Sequence, residues 1–119
     1  MKAVRLPPYR RPERPPDIEA EVTLFATEQG GRKRPVFSGY RPIHDFGIPD
    51  VMNDAQHEYP EKHQLSPGEV GRALLWFLWP DGQAGRLYPG FEFTVQDDEH
   101  IVGRGKILRV LNDGLRRGV

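Results

Sequence analysis

The chain has 119 residues, enough for one domain with a modest core and too few for two. Its 17 Lys+Arg balance 17 Asp+Glu, and a net charge of zero excludes a uniformly basic nucleic-acid wrapper; the absence of cysteine excludes disulfide scaffolds, thiolate metal sites and cysteine nucleophiles. Thirteen Gly and 12 Pro beside 37% hydrophobic residues favour short strands joined by many turns over long helices.

The charge is segregated along the chain. Residues 1–16 carry a net +4, residues 35–103 a net −7, and the stretch from Arg104 onward again +4. Residues 1–17 read as a Pro/Arg-rich flexible arm, because five prolines remove backbone donors and fix φ, so that neither a helix nor a central strand forms there. Such an arm buries little apolar area and is expected to add little stability. The stretch starting at Met1 has no apolar core of a signal peptide, and no apolar run approaches the ~20 residues of a membrane span, so a cytoplasmic protein without a membrane partner is expected.

From Ile18 to Ala26 the residues Ile18, Ala20, Val22, Leu24 and Ala26 share one parity, with Glu19, Glu21 and Thr23 on the other; this is a half-buried strand. Gln29-Gly30-Gly31 marks a turn. Val36–Phe37 and Tyr40–Phe46 read as short strands around Gly39. Residues 47–68, rich in Pro, Asp, Asn, His and Glu, read as mostly loop with one weak edge strand. Glu69–Trp79 is too apolar for a one-sided strand, and the turn signals Pro67-Gly68 and Pro80-Asp81-Gly82 on either side favour a central strand over a helix. Phe91–Gln96 alternates cleanly. Residues 100–111 form a last strand in which Gly103 and Gly105 leave room for a close neighbour or a barrel bend. Six or seven short strands at this spacing point to a small all-β, antiparallel barrel spanning residues 18–112, followed by a short basic tail at 113–119.

Reactive chemistry is sparse. His57 and His63, six apart beside Asp54, match no compact metal spacing and read as a solvated loop. Asp97-Asp98-Glu99 lacks the staggered oxygens of a calcium loop. Ser38 and Ser66 carry no nucleophile-elbow cue. Trp76, Phe77 and Trp79 read as core or interface rather than as base-stacking platforms. The expectation is a protein that works by binding, without catalysis, metal or cofactor.

Two stretches carry a resemblance: Glu19–Phe25, then Gly30-Gly-Arg-Lys-Arg-Pro-Val-Phe-Ser-Gly-Tyr-Arg-Pro42. Asp50-Val51, Pro67-Gly68-Glu69, Gly90-Phe-Glu-Phe93 and Val102-Gly-Arg-Gly105 follow in matching order. Together they resemble the C-terminal β-barrel, the third domain, of bacterial elongation factor Tu, over residues 18 to about 111. The resemblance implies a six-stranded antiparallel barrel. The chain has no Gly-x-x-x-x-Gly-Lys-Ser/Thr loop, so no nucleotide site of that kind is expected.

In that family the barrel binds the T-stem of aminoacyl-tRNA and packs against protein partners. Arg32 matches a family arginine that touches tRNA, and Lys33, Arg34 and Arg41 complete a candidate RNA-binding set. Other positions depart from the family: Ile43, Met52 and Glu92 replace polar or basic residues, and Gln96–His100 replaces an Arg-Glu-Gly-Gly-Arg turn. Asp97, Asp98 and Glu99 make that rim anionic, and a carboxylate facing a phosphate is repulsive. These three form a candidate protein interface. The expected partner is therefore a protein of the translation machinery, such as elongation factor Tu or its exchange factor. The alternatives are an immunity-type or mimic protein that occupies a toxin-like partner of elongation factor Tu, or a tRNA binder acting through Arg32 and the basic arm.

Overall fold

The computed structural model describes residues 9–98 and 100–118; Met1–Pro8, Glu99 and Val119 lie outside the described residues. The strands in chain order are β1 (Ile18–Leu24), β2 (Val36–Phe37), β3 (Ile43–Asp45), β4 (Asn53–Glu58), β5 (Gln64–Leu65), β6 (Val70–Phe77), β7 (Glu92–Asp97) and β8 (His100–Val110). Six of them close into an antiparallel barrel in the order β1-β6-β4-β3-β7-β8, with β8 returning to β1, while β2 and β5 form a separate two-stranded ribbon. Closure satisfies both hydrogen-bonding edges of every wall strand.

Alternation in β1 puts Ile18, Ala20, Val22 and Leu24 inside and Glu19 and Glu21 outside, in register with β6 from Ile18↔Leu75 to Thr23↔Val70. The interior is filled by an aromatic cluster: Phe46 stacks on Phe93 at 4.6 Å and meets Phe77 edge-on at 5.1 Å. The wall bends tightly at β8. A Cβ at Gly105 would stand 2.1 Å from the Phe93 ring, and one at Gly103 2.5 Å from the Thr23 carbonyl oxygen, so only glycine fits at either position.

The stretch 47–68 contains a full barrel strand rather than loop and weak edge. β4 lies between β3 and β6, and its inward residues Asn53, Ala55 and His57 are all buried. Polar side chains at two of three inward positions hide the apolar alternation by which a strand is recognised. The last strand has an irregular register beside Glu19/Ala20, which lets eleven residues follow the curvature of the wall.

The segments outside the barrel lie against it. Residues 9–17, expected as part of a detached arm, run across the outer wall of β4 and β6. Asp17 is fully buried, its N–H donates to the Leu75 carbonyl (2.8 Å), and its own carbonyl accepts from Leu111 and Asn112 (2.9 and 3.0 Å). At the other end, Leu87 N–H donates to Leu115 O and Arg117 N–H to Leu87 O, both at 2.8 Å, and the side chains of Leu87 and Leu115 are buried. The basic residues of 113–118 thus flank an apolar anchor that plugs one end of the barrel.

Candidate functional site

Arg32 follows a strained turn. Gly30 sits at φ 91°, and a Cβ at Gly31 would stand 2.0 Å from the Phe25 carbonyl oxygen. The turn folds back because Thr27 Oγ1 donates to the Arg32 carbonyl at 2.6 Å. The Arg32 guanidinium is paired with the Asp97 carboxylate and lies 5.2 Å from the centre of the Tyr40 ring. The Tyr40 hydroxyl donates to the same Asp97 carboxylate at 3.3 Å, and burial raises its pKa above the ordinary tyrosine value.

Arg32 and Asp97 line one groove of about 440 Å³ together with Lys33, Arg34, Asp98, His100 and Val102. The basic and acidic candidates, separate in sequence, therefore form a single surface. On the described residues it carries three cations, Arg32, Lys33 and Arg34, and two carboxylates, Asp97 and Asp98. Asp98 sits at φ 54°, a conformation that glycine adopts without strain. Glu99, the third acidic candidate, lies outside the described residues.

Arg41 is elsewhere. Its guanidinium donates to Gln56 Oε1 at 3.3 Å and lines a second groove of about 230 Å³ with Pro12, Trp76, Leu78 and Pro80. Leu78 and Trp79 beside it are the most exposed large apolar residues, at 68% and 61%. The central-strand residues thus divide between the two roles: Phe77 is core, Trp76 is covered on the outer wall, and Trp79 is open to solvent.

The barrel interior holds a polar chain that the sequence did not announce. His57 is fully buried in β4, contrary to the solvated-loop expectation, and faces His44 of β3. Nδ1 of His44 lies 2.8 Å from the Asn53 carbonyl, Nε2 of His44 2.8 Å from Nε2 of His57, and Nδ1 of His57 2.9 Å from the Tyr59 hydroxyl. A carbonyl only accepts, so His44 Nδ1 carries its proton. His44 Nε2 then accepts from His57 Nε2–H, and Tyr59 O–H donates to His57 Nδ1. Both rings are neutral in this chain. Burial pushes the His44 pKa down to about 4, and burial followed by repulsion from His44 holds His57 well below the usual histidine range. Burial pushes Tyr59 well above the usual tyrosine value.

His63 belongs to a different cluster. Its Nδ1 takes the Ser38 hydroxyl at 2.9 Å, while Ser38 Oγ accepts the Tyr59 N–H at 2.9 Å. Ser38 is buried and both its bonds are structural. Among the described residues no group of three or more His, Asp or Glu side chains is placed to hold a metal ion, and no helix is long and apolar enough to cross a membrane. No protein-family model matches the chain.

Proposed function

We propose that this chain is a non-catalytic binding module, a barrel of the elongation factor Tu third-domain type, that engages a protein of the translation machinery. The observation that carries this reading is the pairing of Arg32 with Asp97 over the Tyr40 ring. The one arginine that matches a tRNA-contacting position is already neutralised within the chain. A phosphate approaching it must displace a carboxylate and face Asp98 as well, which offsets the counterion-release gain of that contact. A protein partner that offers both signs of charge, and apolar surface for Leu78 and Trp79, meets no such opposition.

The test is a titration of the purified chain against elongation factor Tu, its exchange factor and aminoacyl-tRNA in near-physiological salt. Saturable binding to one of the proteins with weak tRNA binding is expected. Sub-micromolar tRNA binding that weakens steeply with salt would overturn the reading in favour of an RNA module. Absence of binding to both factors would remove the translation assignment and favour the immunity-type alternative.

A further inference from the structure

Residues 9–16 of the chain lie on the outer wall of β4 and β6. Glu58, on the outward parity of β4, is nearly buried, yet both its oxygens are engaged from this segment: Arg11 Nε and Nη2 donate to Oε1 and Oε2 at 3.0 and 2.5 Å, and the Tyr9 hydroxyl donates to Oε1 at 2.9 Å. The Arg11 bond holds the Glu58 carboxyl below the usual carboxylate range. The same guanidinium lies 5.6 Å from the centre of the Trp76 ring. The Trp76 indole N–H donates to the Arg14 carbonyl at 2.7 Å, and Gln56 Nε2 donates to the Arg10 carbonyl at 3.5 Å. A tryptophan face, an indole donor to a peptide carbonyl and a carboxylate for arginine, set along a proline-containing segment, are the elements by which aromatic grooves read polyproline-like peptides.

Each of the hydrogen bonds between residues 9–16 and the barrel has a side chain on at least one side. Among the described residues, the first main-chain to main-chain bond of this segment to the barrel is that of Asp17. A segment held this way can leave without breaking a ladder. It leaves behind the nearly buried Glu58 carboxylate, the Trp76 indole N–H and, through Arg14, the buried Asp17 carboxylate and the Phe77 carbonyl, and an incoming ligand must supply two arginines and a carbonyl to replace these contacts.

The geometry points to the Glu58–Gln56–Trp76 wall as a docking site for an extended Pro/Arg-containing segment of a partner protein, with residues 9–16 as the internal pseudo-ligand that occludes it. Charge and shape select the occupant: the guanidinium fork matches both oxygens of Glu58, which an ammonium cannot do, and proline keeps the segment extended.

The probe is a labelled peptide with the sequence of residues 9–16, followed by fluorescence anisotropy on the full chain. The double variant Tyr9→Phe/Arg11→Ala withdraws both internal donors from Glu58 and opens the site. It should bind the peptide about tenfold or more tightly than the wild type, because occlusion lowers apparent affinity by the fraction of open molecules. Adding Glu58→Gln should abolish the gain, and so should replacing the peptide arginines by lysine. Equal peptide binding by wild type and opened variant, or a gain that survives Glu58→Gln, would overturn the proposal. If the double variant melts without a cooperative transition, Arg11→Lys, which keeps the charge and loses the fork, replaces it with the same two outcomes.

Discussion

Mild acid should unfold this protein from its interior. Both rings of the His44–His57 pair are neutral in the folded chain, and no carboxylate bonds to either; the groups that face them are Tyr40, Tyr59, Phe46, Phe93 and the Asn53 carbonyl. The nearby Asp97 is committed to Arg32 and Tyr40. A proton added to His44 enters at Nε2 and puts two N–H groups against each other across 2.8 Å, while one added to His57 enters at Nδ1 and displaces the hydrogen bond donated by the Tyr59 hydroxyl at 2.9 Å. The folded-state pKa of His44 is about 4, against about 6.5 when unfolded, so the unfolded chain takes up protons first as the pH falls. The contribution to stability is complete above about pH 6.5 and is lost as the pH falls toward the folded value. Between pH 7.5 and pH 5 the His44 shift costs about 2 kcal/mol, a sizeable part of the roughly 5–15 kcal/mol of a typical domain, and His57, shifted in the same direction, adds to the loss. With a urea slope of about 2 kcal/mol per molar, His44 alone should lower the unfolding midpoint by about 1 M, and His57 should lower it further. Urea titrations monitored by circular dichroism at half-unit pH steps measure this. A midpoint that is flat from pH 7.5 to 5, with loss only below about 4.5 where carboxylates such as Glu58 protonate, would refute the neutral-pair reasoning.

Gly105→Val forces a side chain into the Phe93 ring and should destabilise by about 3 kcal/mol or prevent folding, read as a lowered melting temperature. Arg14→Ala removes the bidentate partner, 2.9 Å at each oxygen, of the buried Asp17 carboxylate and should cost about 3 kcal/mol in chemical denaturation; a loss under about 0.5 kcal/mol would mean that residues 9–17 do not stabilise the barrel. Asp97→Asn frees Arg32 and should strengthen RNA binding, adding about one unit to the slope of log affinity against log salt; an unchanged slope would show that Asp97 does not mask the arginine.

The sequence by itself determined the elements whose residues alternate or whose turns need glycine. The parity of Ile18–Ala26, the apolar run Glu69–Trp79, whose strand ends at Phe77 with Leu78 and Trp79 exposed beyond it, the alternation of Phe91–Gln96 and the glycines of β8 specify an antiparallel wall, because period-two patterning and steric room at glycine are local properties of the chain. The Arg32 turn was legible for the same reason. What lay beyond local reading was every pairing in which polar groups satisfy one another at long range. The stretch holding β4 reads as mostly loop with one weak edge strand because Asn53 and His57 point inward, and the partner on the neighbouring strand, His44, makes that burial tolerable. The proline-rich segment reads as detached because its backbone cannot join a ladder, yet Arg11 and Arg14 attach it through Glu58 and Asp17, which stand 47 and 3 residues further along. Likewise nothing in the chain order places Arg32 against Asp97; barrel closure does that, by bringing the Gly30-Gly31 turn to the rim formed by the end of β7. Patterning decides which face of a strand is buried, but the neutralisation of a charge depends on which other charge the closed barrel sets within reach of it.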